Sequence, residues 1–136
     1  KIKLTFKNTG KLPKVAMGHN IVILKKSVDL IKFCNEAVKF PTNEYFPKGR
    51  EKDVIGRTKL LGPGEEDTIY FLAPEPGTYE YVCTFPGHFA LMKGKMIVKW
   101  LNLELLIDSN FKLFKFFSCD DDFEINFFSR APIFTS

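Results

Sequence analysis

The sequence predicts an all-β protein, an antiparallel β-sandwich with one short helix in an insertion. Three observations support this prediction. Short apolar or β-branched runs recur through the first hundred residues, turn signals built on Gly, Pro and Asn separate them, and a single segment has helical periodicity. Short strands at such regular intervals are typical of sandwiches. A chain of 136 residues that is 45% hydrophobic is long enough for one domain with its own core.

The chain opens with two predicted strands. Residues 2–6 alternate in hydropathy, which places Ile2, Leu4 and Phe6 on one face. A second apolar, β-branched run occupies residues 20–24. Both segments are therefore expected to contribute one face to the core.

The single helix is predicted over residues 28–39. Ser27 offers an N-cap, and Pro41 ends the segment. Apolar residues recur close to helical spacing, which predicts that the buried face consists of Val28, Ile31, Cys34 and Val38.

Four more strands are predicted after a polar, irregular stretch, at 57–61, 68–72, 78–84 and 95–100. Turns rich in Gly and Pro at 62–64 and 74–77 separate the first three. In the third of these strands, alternation places Tyr79, Tyr81 and Cys83 on one face.

Composition argues against several classes of protein. The formal net charge of +4 is far below the density of Lys and Arg expected of a nucleic-acid binder. No run of about 18 apolar residues occurs, so neither a transmembrane helix nor membrane contact is expected. The first residues alternate like a strand and do not resemble a secretory leader. Three cysteines, an odd number, argue against a closed disulfide framework.

The two histidines of the chain predict a metal site. His19 opens a predicted strand, and a loop between two later strands has the pattern C-x4-H-x3-M, formed by Cys83, His88 and Met92. Each residue alone would be interpreted as core packing or a surface group. Together they match an electron-transfer copper site, which has two His and one Cys in a plane with a weak axial Met. We therefore expect one copper ion that alternates between Cu(I) and Cu(II).

Three segments closely resemble the azurin family of blue copper proteins. They are residues 12–20, 57–65 and 83–94, in the same order and at similar spacing, and the resemblance covers roughly residues 1–100. The four-residue gap between Cys83 and His88 is azurin-like, since plastocyanin, pseudoazurin and amicyanin have a gap of two. The resemblance implies a cupredoxin-like Greek-key β-sandwich.

The resemblance also implies a role for each site residue. His19, His88 and Cys83 would be the equatorial ligands of the copper. Met92 would be the axial thioether, and the carbonyl of Gly18 would lie on the opposite axial side. Neighbouring side chains would hold these ligands in place and tune the metal, namely Asn20, Thr84 and Phe85.

A docking surface for redox partners is implied as well. Apolar residues that flank the ligands would cluster around the edge of His88, where weak redox encounters use small interfaces. The partners implied are c-type cytochromes or copper or haem reductases. The alternative is that some of these side chains only pack the loop. The residues of this predicted patch are Leu12, Pro13, Ala16, Met17, Pro86, Gly87 and Phe89.

The chain departs from azurins at both ends. Azurins begin with two strands before the one that matches residues 1–6, so we expect a cupredoxin domain over 1–100 that lacks its first strands. Residues 101–136 would be a Phe-rich, acidic extension outside the family match. They hold 8 of the 15 Phe and no Gly, with 3 Lys/Arg against 6 Asp/Glu. This extension either lies outside the core or covers the face left open by the missing strands.

These features predict a type 1 copper protein that shuttles single electrons and is not an enzyme. Three alternatives remain, namely a fragment of a copper enzyme, a copper carrier and a metal-free module of the same fold. A catalytic copper would need spare histidines, a carrier would have a run of Met or Cys, and a metal-free module would have lost a ligand. Azurins work in the bacterial periplasm, and the resemblance implies that location here.

Overall fold

The computed structural model describes residues 1–99 in full and, beyond them, the backbone of strands at 106–109, 118–119 and 122–129. The helices are α1 (Lys14–Met17) and α2 (Leu30–Ala37), and short 3-10 turns occur at Pro41–Asn43 and Glu51–Asp53. None of the helices in these residues has the length and hydropathy to cross a membrane. The strands, in chain order, are β1 (Ile2–Asn8), β2 (Val22–Leu24), β3 (Val54–Arg57), β4 (Glu66–Phe71), β5 (Gly77–Val82), β6 (Lys93–Val98), β7 (Leu106–Ser109), β8 (Ser118–Cys119) and β9 (Asp122–Ser129).

The strands form two sheets, which confirms the predicted β-sandwich. One sheet has the order β4-β1-β9-β8, and the other has the order β3-β2-β5-β6-β7. Every strand pair within residues 1–99 is antiparallel, as predicted, whereas β1 runs parallel to β9, which lies beyond residue 100. These two strands are far apart in sequence, so no hairpin forces them to be antiparallel.

The core lies between the two sheets. Ile2, Leu4 and Phe6 are buried, as the alternation predicts. They share one cluster with Tyr79, Tyr81 and Met96 of the opposite sheet and with Cys83, which directly follows β5. A second cluster lies beneath α2 and consists of Val22, Leu24, Leu30, Phe33, Cys34, Phe46 and Val82.

The helix is shorter than predicted and buries a different face. Asp29, not Ser27, is the N-cap, because its carboxylate accepts a hydrogen bond from the Lys32 N–H at 2.9 Å. The buried positions follow the spacing i, i+3, i+4, i+7 from Leu30. Phe33 provides the largest side chain of the buried face, whereas Ile31 and Val38 are exposed. The buried residues are Leu30, Phe33, Cys34 and Ala37.

The strand predicted over 57–61 ends at Arg57 instead. Thr58 then turns its hydroxyl inward, where it accepts a hydrogen bond from the Ile21 N–H at 2.9 Å. Leu61 forms an isolated bridge with His19. The Thr58 N–H still donates to the Ile21 carbonyl at 2.9 Å, so the hydroxyl replaces only one backbone hydrogen bond of a regular ladder.

Strands beyond residue 100 extend both sheets. β7 pairs with β6, and β9 pairs with β1 along the whole of that strand. The side chains and loops of residues 101–136 lie outside the described residues. The division at residue 100, the missing first strands and the two interpretations of the extension therefore stay predictions.

Candidate metal centre

His19 is positioned by its backbone. Its N–H donates to the Leu61 carbonyl at 3.0 Å, and the Leu61 N–H donates to the His19 carbonyl at 2.7 Å. Gly18 lies just before it in a place without room for a side chain. A Cβ at Gly18 would lie 2.7 Å from the Lys14 carbonyl oxygen and 3.0 Å from Leu60 Cγ. A glycine there lets α1 pack closely against the segment that carries His19.

The loop between β5 and β6 folds back on itself. The Cys83 N–H donates to the Met92 carbonyl at 2.8 Å, and the Met92 N–H donates to the His88 carbonyl at 2.7 Å. The His88 N–H donates to the Phe85 carbonyl at 3.0 Å. Gly87 has φ 81, in the left-handed region that favours glycine. This turn brings all three sulfur and imidazole side chains of the loop to one end of the sandwich.

The four predicted side-chain ligands meet in one site. The ligand atoms of His19, Cys83 and His88 all lie within 4.8 Å of one another. Cys83 Sγ is 3.6 Å from His88 Nδ1, and the two imidazole centroids are 4.8 Å apart. Met92 is buried in the same cluster as Cys83. Together they form a site of the type 1 copper kind.

The imidazole of His19 shows that this site fits a metal ion. The side chain is wholly buried, yet neither Nδ1 nor Nε2 has a hydrogen-bond partner. Buried polar atoms are nearly always paired, so an unpaired nitrogen requires an explanation. A metal bound to one nitrogen would provide it. Two imidazoles, a thiolate and a thioether are the donors that suit copper in both oxidation states.

Burial sets the protonation state of each ligand. It lowers the pKa of His19 to about 4, with a further contribution from His88, and it also lowers the pKa of His88. Burial raises the pKa of the Cys83 thiol to about 11. At neutral pH both imidazoles are therefore uncharged and able to bind a metal, whereas the thiol must release its proton on binding.

The lowered pKa of His19 predicts that the copper-free protein loses stability in acid. The unfolded chain binds this proton below about pH 6.5 and the folded protein only below about pH 4, so stability falls as the pH drops through that window. The full loss corresponds to about 3 kcal/mol. Urea unfolding across this pH range would measure it. Glutamine does not titrate, so the His19→Gln variant should lose less stability over this pH range. An equal loss of stability would show that His19 is not the group responsible.

Asn20 joins the strand of His19 to the loop of Cys83. Its Oδ1 accepts from the Thr84 N–H at 2.8 Å, and its Nδ2 donates to Thr84 Oγ1 at 2.9 Å. Nδ2 also donates to the Glu44 carbonyl at 3.3 Å. The structure thus brings Asn20 and Thr84 together beside the ligands. Their influence on the metal, and the axial role of the Gly18 carbonyl, stay predictions.

Most residues of the predicted docking patch are exposed. Met17 is only partly exposed, and Phe89 packs against the cluster beneath α2. Two exposed apolar side chains next to this set were not predicted from sequence, Val15 at 87% and Leu91 at 57%. Their position beside predicted patch or ligand residues was the available signal. The exposed members predicted from sequence are Leu12, Pro13, Ala16, Pro86 and Gly87.

The aromatic contacts of Phe85 were not predicted from sequence either. Its ring centroid lies 4.7 Å from that of His88 and 5.1 Å from that of Tyr45. Tyr45 is forty positions away in the chain, and no local pattern connects the two. Only the folded structure shows that it approaches the metal centre.

Comparison with known proteins gives one consistent family. A model of the plastocyanin/azurin family of copper-binding proteins matches residues 2–99. Azurin from Alcaligenes faecalis is 40% identical over 94 residues, which are 67% of this chain and 73% of that protein. Outer membrane protein H.8 from Neisseria gonorrhoeae is 42% identical over 96 residues, 68% of this chain but only 51% of that protein.

Solved structures agree with these relatives. Dithionite-reduced auracyanin from Roseiflexus castenholzii aligns with a TM-score of 0.63 at 43% identity, covering 71% of this chain and 75% of that one. Auracyanin A from Chloroflexus aurantiacus, described as a "blue" copper protein, aligns with a TM-score of 0.64 at 30% identity. That alignment covers 71% of this chain and 76% of auracyanin A.

Proposed function

This chain belongs to the plastocyanin/azurin family of copper-binding proteins, and from that premise we propose that it shuttles single electrons between redox partner proteins. The observation that carries the proposal is that the ligand atoms of buried His19, buried Cys83 and half-buried His88 lie within 4.8 Å of one another. A bound copper would supply the redox couple by alternating between Cu(I) and Cu(II). No bond in a substrate needs to form or break, so the proposed activity is not enzymatic.

In this proposal the imidazoles of His19 and His88, the thiolate of Cys83 and the thioether of Met92 would hold the copper, and the carbonyl of Gly18 would be a further, weaker ligand. The chain's own contribution is a framework that moves little. The backbone pairing with Leu61 holds one histidine, and four backbone hydrogen bonds hold the loop. A site fixed in this way reorganises little when its charge changes, and low reorganisation favours fast electron transfer.

The number of histidines supports an electron-transfer protein over a fragment of a copper enzyme. The whole sequence has two histidines, and both belong to the proposed copper site. None remains for a second, catalytic copper. We also propose a periplasmic location, as in azurins, and place the copper site within residues 1–100, so that residues 101–136 supply no ligand.

Partners would exchange electrons through the exposed apolar surface beside His88, here called the docking patch. The proposed partners are c-type cytochromes or copper or haem reductases. The support for the patch is its exposure, since large apolar side chains left in water commonly mark contact surfaces. The docking patch consists of Leu12, Pro13, Val15, Ala16, Pro86, Gly87 and Leu91.

A charge placed in the docking patch should slow electron transfer to a protein partner. We expect Leu91→Asp to lower the bimolecular rate with a c-type cytochrome about tenfold, because desolvating a charge in an apolar contact costs at least about 1.4 kcal/mol. Stopped-flow mixing measures this rate. Ile31→Asp on α2 is a matched control, since Ile31 is 56% exposed against 57% for Leu91. Equal rates for the two variants would contradict the docking patch.

The proposed function is tested by loading the full chain with Cu(II). We expect an intense blue absorption band, narrow copper hyperfine splitting in electron paramagnetic resonance and a reversible one-electron wave in voltammetry. Cys83→Ser should abolish the blue band, because that band requires a thiolate bound to copper. A pale protein with an ordinary tetragonal copper signal would contradict the proposal.

A further inference from the structure

Glu44 and Tyr45 form an unusual corner of the backbone near the metal centre. Their φ values are 57 and 55, and within residues 1–99 they are the only non-glycine residues with positive φ. Side chains rarely adopt this left-handed conformation, and it persists where the surroundings over-determine it. Such conformations cluster at functional sites.

Contacts from three directions hold the corner in place. The Glu44 carbonyl accepts a hydrogen bond from Asn20 Nδ2 at 3.3 Å, and its carboxylate lies 3.6 Å from Arg57 Nη1. The Tyr45 N–H donates to the Phe40 carbonyl at 3.0 Å. The same Asn20 amide binds Thr84, next to the cysteine ligand. The corner is therefore tied directly to the segment that carries the copper ligands.

The corner presents the Tyr45 ring to the ligand loop. The ring meets that of Phe85 at 70°, with centroids 5.1 Å apart, which is the edge-to-face arrangement that aromatic pairs favour. Phe85 is buried and lies 4.7 Å from the His88 ring at 36°. Three rings thus stand in series, from Tyr45 through Phe85 to His88.

We propose that Tyr45 is a positioning residue of the copper site, which holds the Phe85 ring against His88 and so fixes the orientation of that imidazole. The inference rests on the copper centre proposed above and assigns a role to a residue outside the ligand loop. Without the Tyr45 ring, Phe85 gains room to tilt, and His88 loses the surface on which its ring lies.

The test compares three variants of the full chain. Tyr45→Leu removes the ring and should lower copper affinity about tenfold, the lower end of the effect of contacts that orient metal ligands. It should also shift the reduction potential and the copper hyperfine splitting. Tyr45→Phe keeps the ring and should match the wild type in copper affinity, reduction potential and hyperfine splitting. Tyr79→Leu is the control, because Tyr79 is buried in the same core but donates its hydroxyl to the Glu75 carbonyl.

Each outcome is decisive. Wild-type values for Tyr45→Leu, equal shifts for Tyr79→Leu, or equal shifts for Tyr45→Phe would overturn the proposal, because the ring contact would not then be the cause. Should Tyr45→Leu not fold, Tyr45→Met takes its place, since an unbranched side chain fills the gap more flexibly. In copper-free protein, nuclear magnetic resonance should show faster flipping of the Phe85 ring in Tyr45→Leu alone. This measurement tests the role of Tyr45 even if the wild type forms no blue copper centre. The absence of a blue centre would contradict only the proposed function.

Discussion

Replacing Asn20 with leucine should destabilise the copper-free protein by about 2–6 kcal/mol and weaken copper binding by about 10- to 100-fold. The side chain is buried and joins three backbone or hydroxyl groups on two segments. Leucine has a similar volume but no polar atom. The buried N–H and Oγ1 of Thr84 would both lose this partner, and each buried unpaired group costs about 1–3 kcal/mol.

Copper affinity should fall with stability because Thr84 directly follows the cysteine ligand. Urea unfolding of copper-free protein and competition with a chelator for copper measure the two effects separately. Asn35→Leu is the matched control, since Asn35 is exposed on α2 and the same substitution there should change stability by less than about 0.5 kcal/mol. If Asn20→Leu behaved like Asn35→Leu, the hydrogen bonds between the two segments would not contribute to the site.

The ligand loop was predictable because its chemistry is local. Cys83, His88 and Met92 lie within ten residues, and a copper site needs their atom types in that order. His19 was predictable as the second histidine ligand because the chain has only one histidine besides His88. The β-sandwich followed from hydropathy of period two. These predictions required no knowledge of which strands become neighbours.

The errors and omissions arose where distant contacts decide the structure. The buried face of α2 depends on the pocket that receives Phe33, and β3 ends early because the Thr58 hydroxyl bonds to Ile21. The parallel pairing of β1 with β9 joins residues more than a hundred positions apart. The left-handed corner at Tyr45 has no glycine to signal it. Propensity and periodicity describe neighbours along the chain, so they do not report such contacts.

Deleting residues 101–136 should have the largest effect of all on folding. β9 pairs with β1 over seven positions, from Ile2 with Phe123 to Asn8 with Ser129, and β7 pairs with β6 over four. Without them β1 keeps only β4 as a described neighbour, and its unpaired N–H and C=O groups face water. At about 1 kcal/mol net for each lost hydrogen bond, the loss is comparable with the whole stability of a domain, about 5–15 kcal/mol.

We therefore expect the shortened chain to unfold or aggregate at temperatures where the full chain is folded, since a long exposed edge strand promotes association. Circular dichroism melting and size-exclusion chromatography would measure this, and copper addition should give no stable blue band. Deleting only residues 131–136 removes no described strand and should leave both properties unchanged. If the chain ending at residue 100 instead melted normally and bound copper, the extension would lie outside the copper-binding core. The ligands alone do not distinguish these outcomes, because all of them precede residue 100. The decisive question is whether β1, whose Ile2, Leu4 and Phe6 belong to the buried core, holds its place without β9.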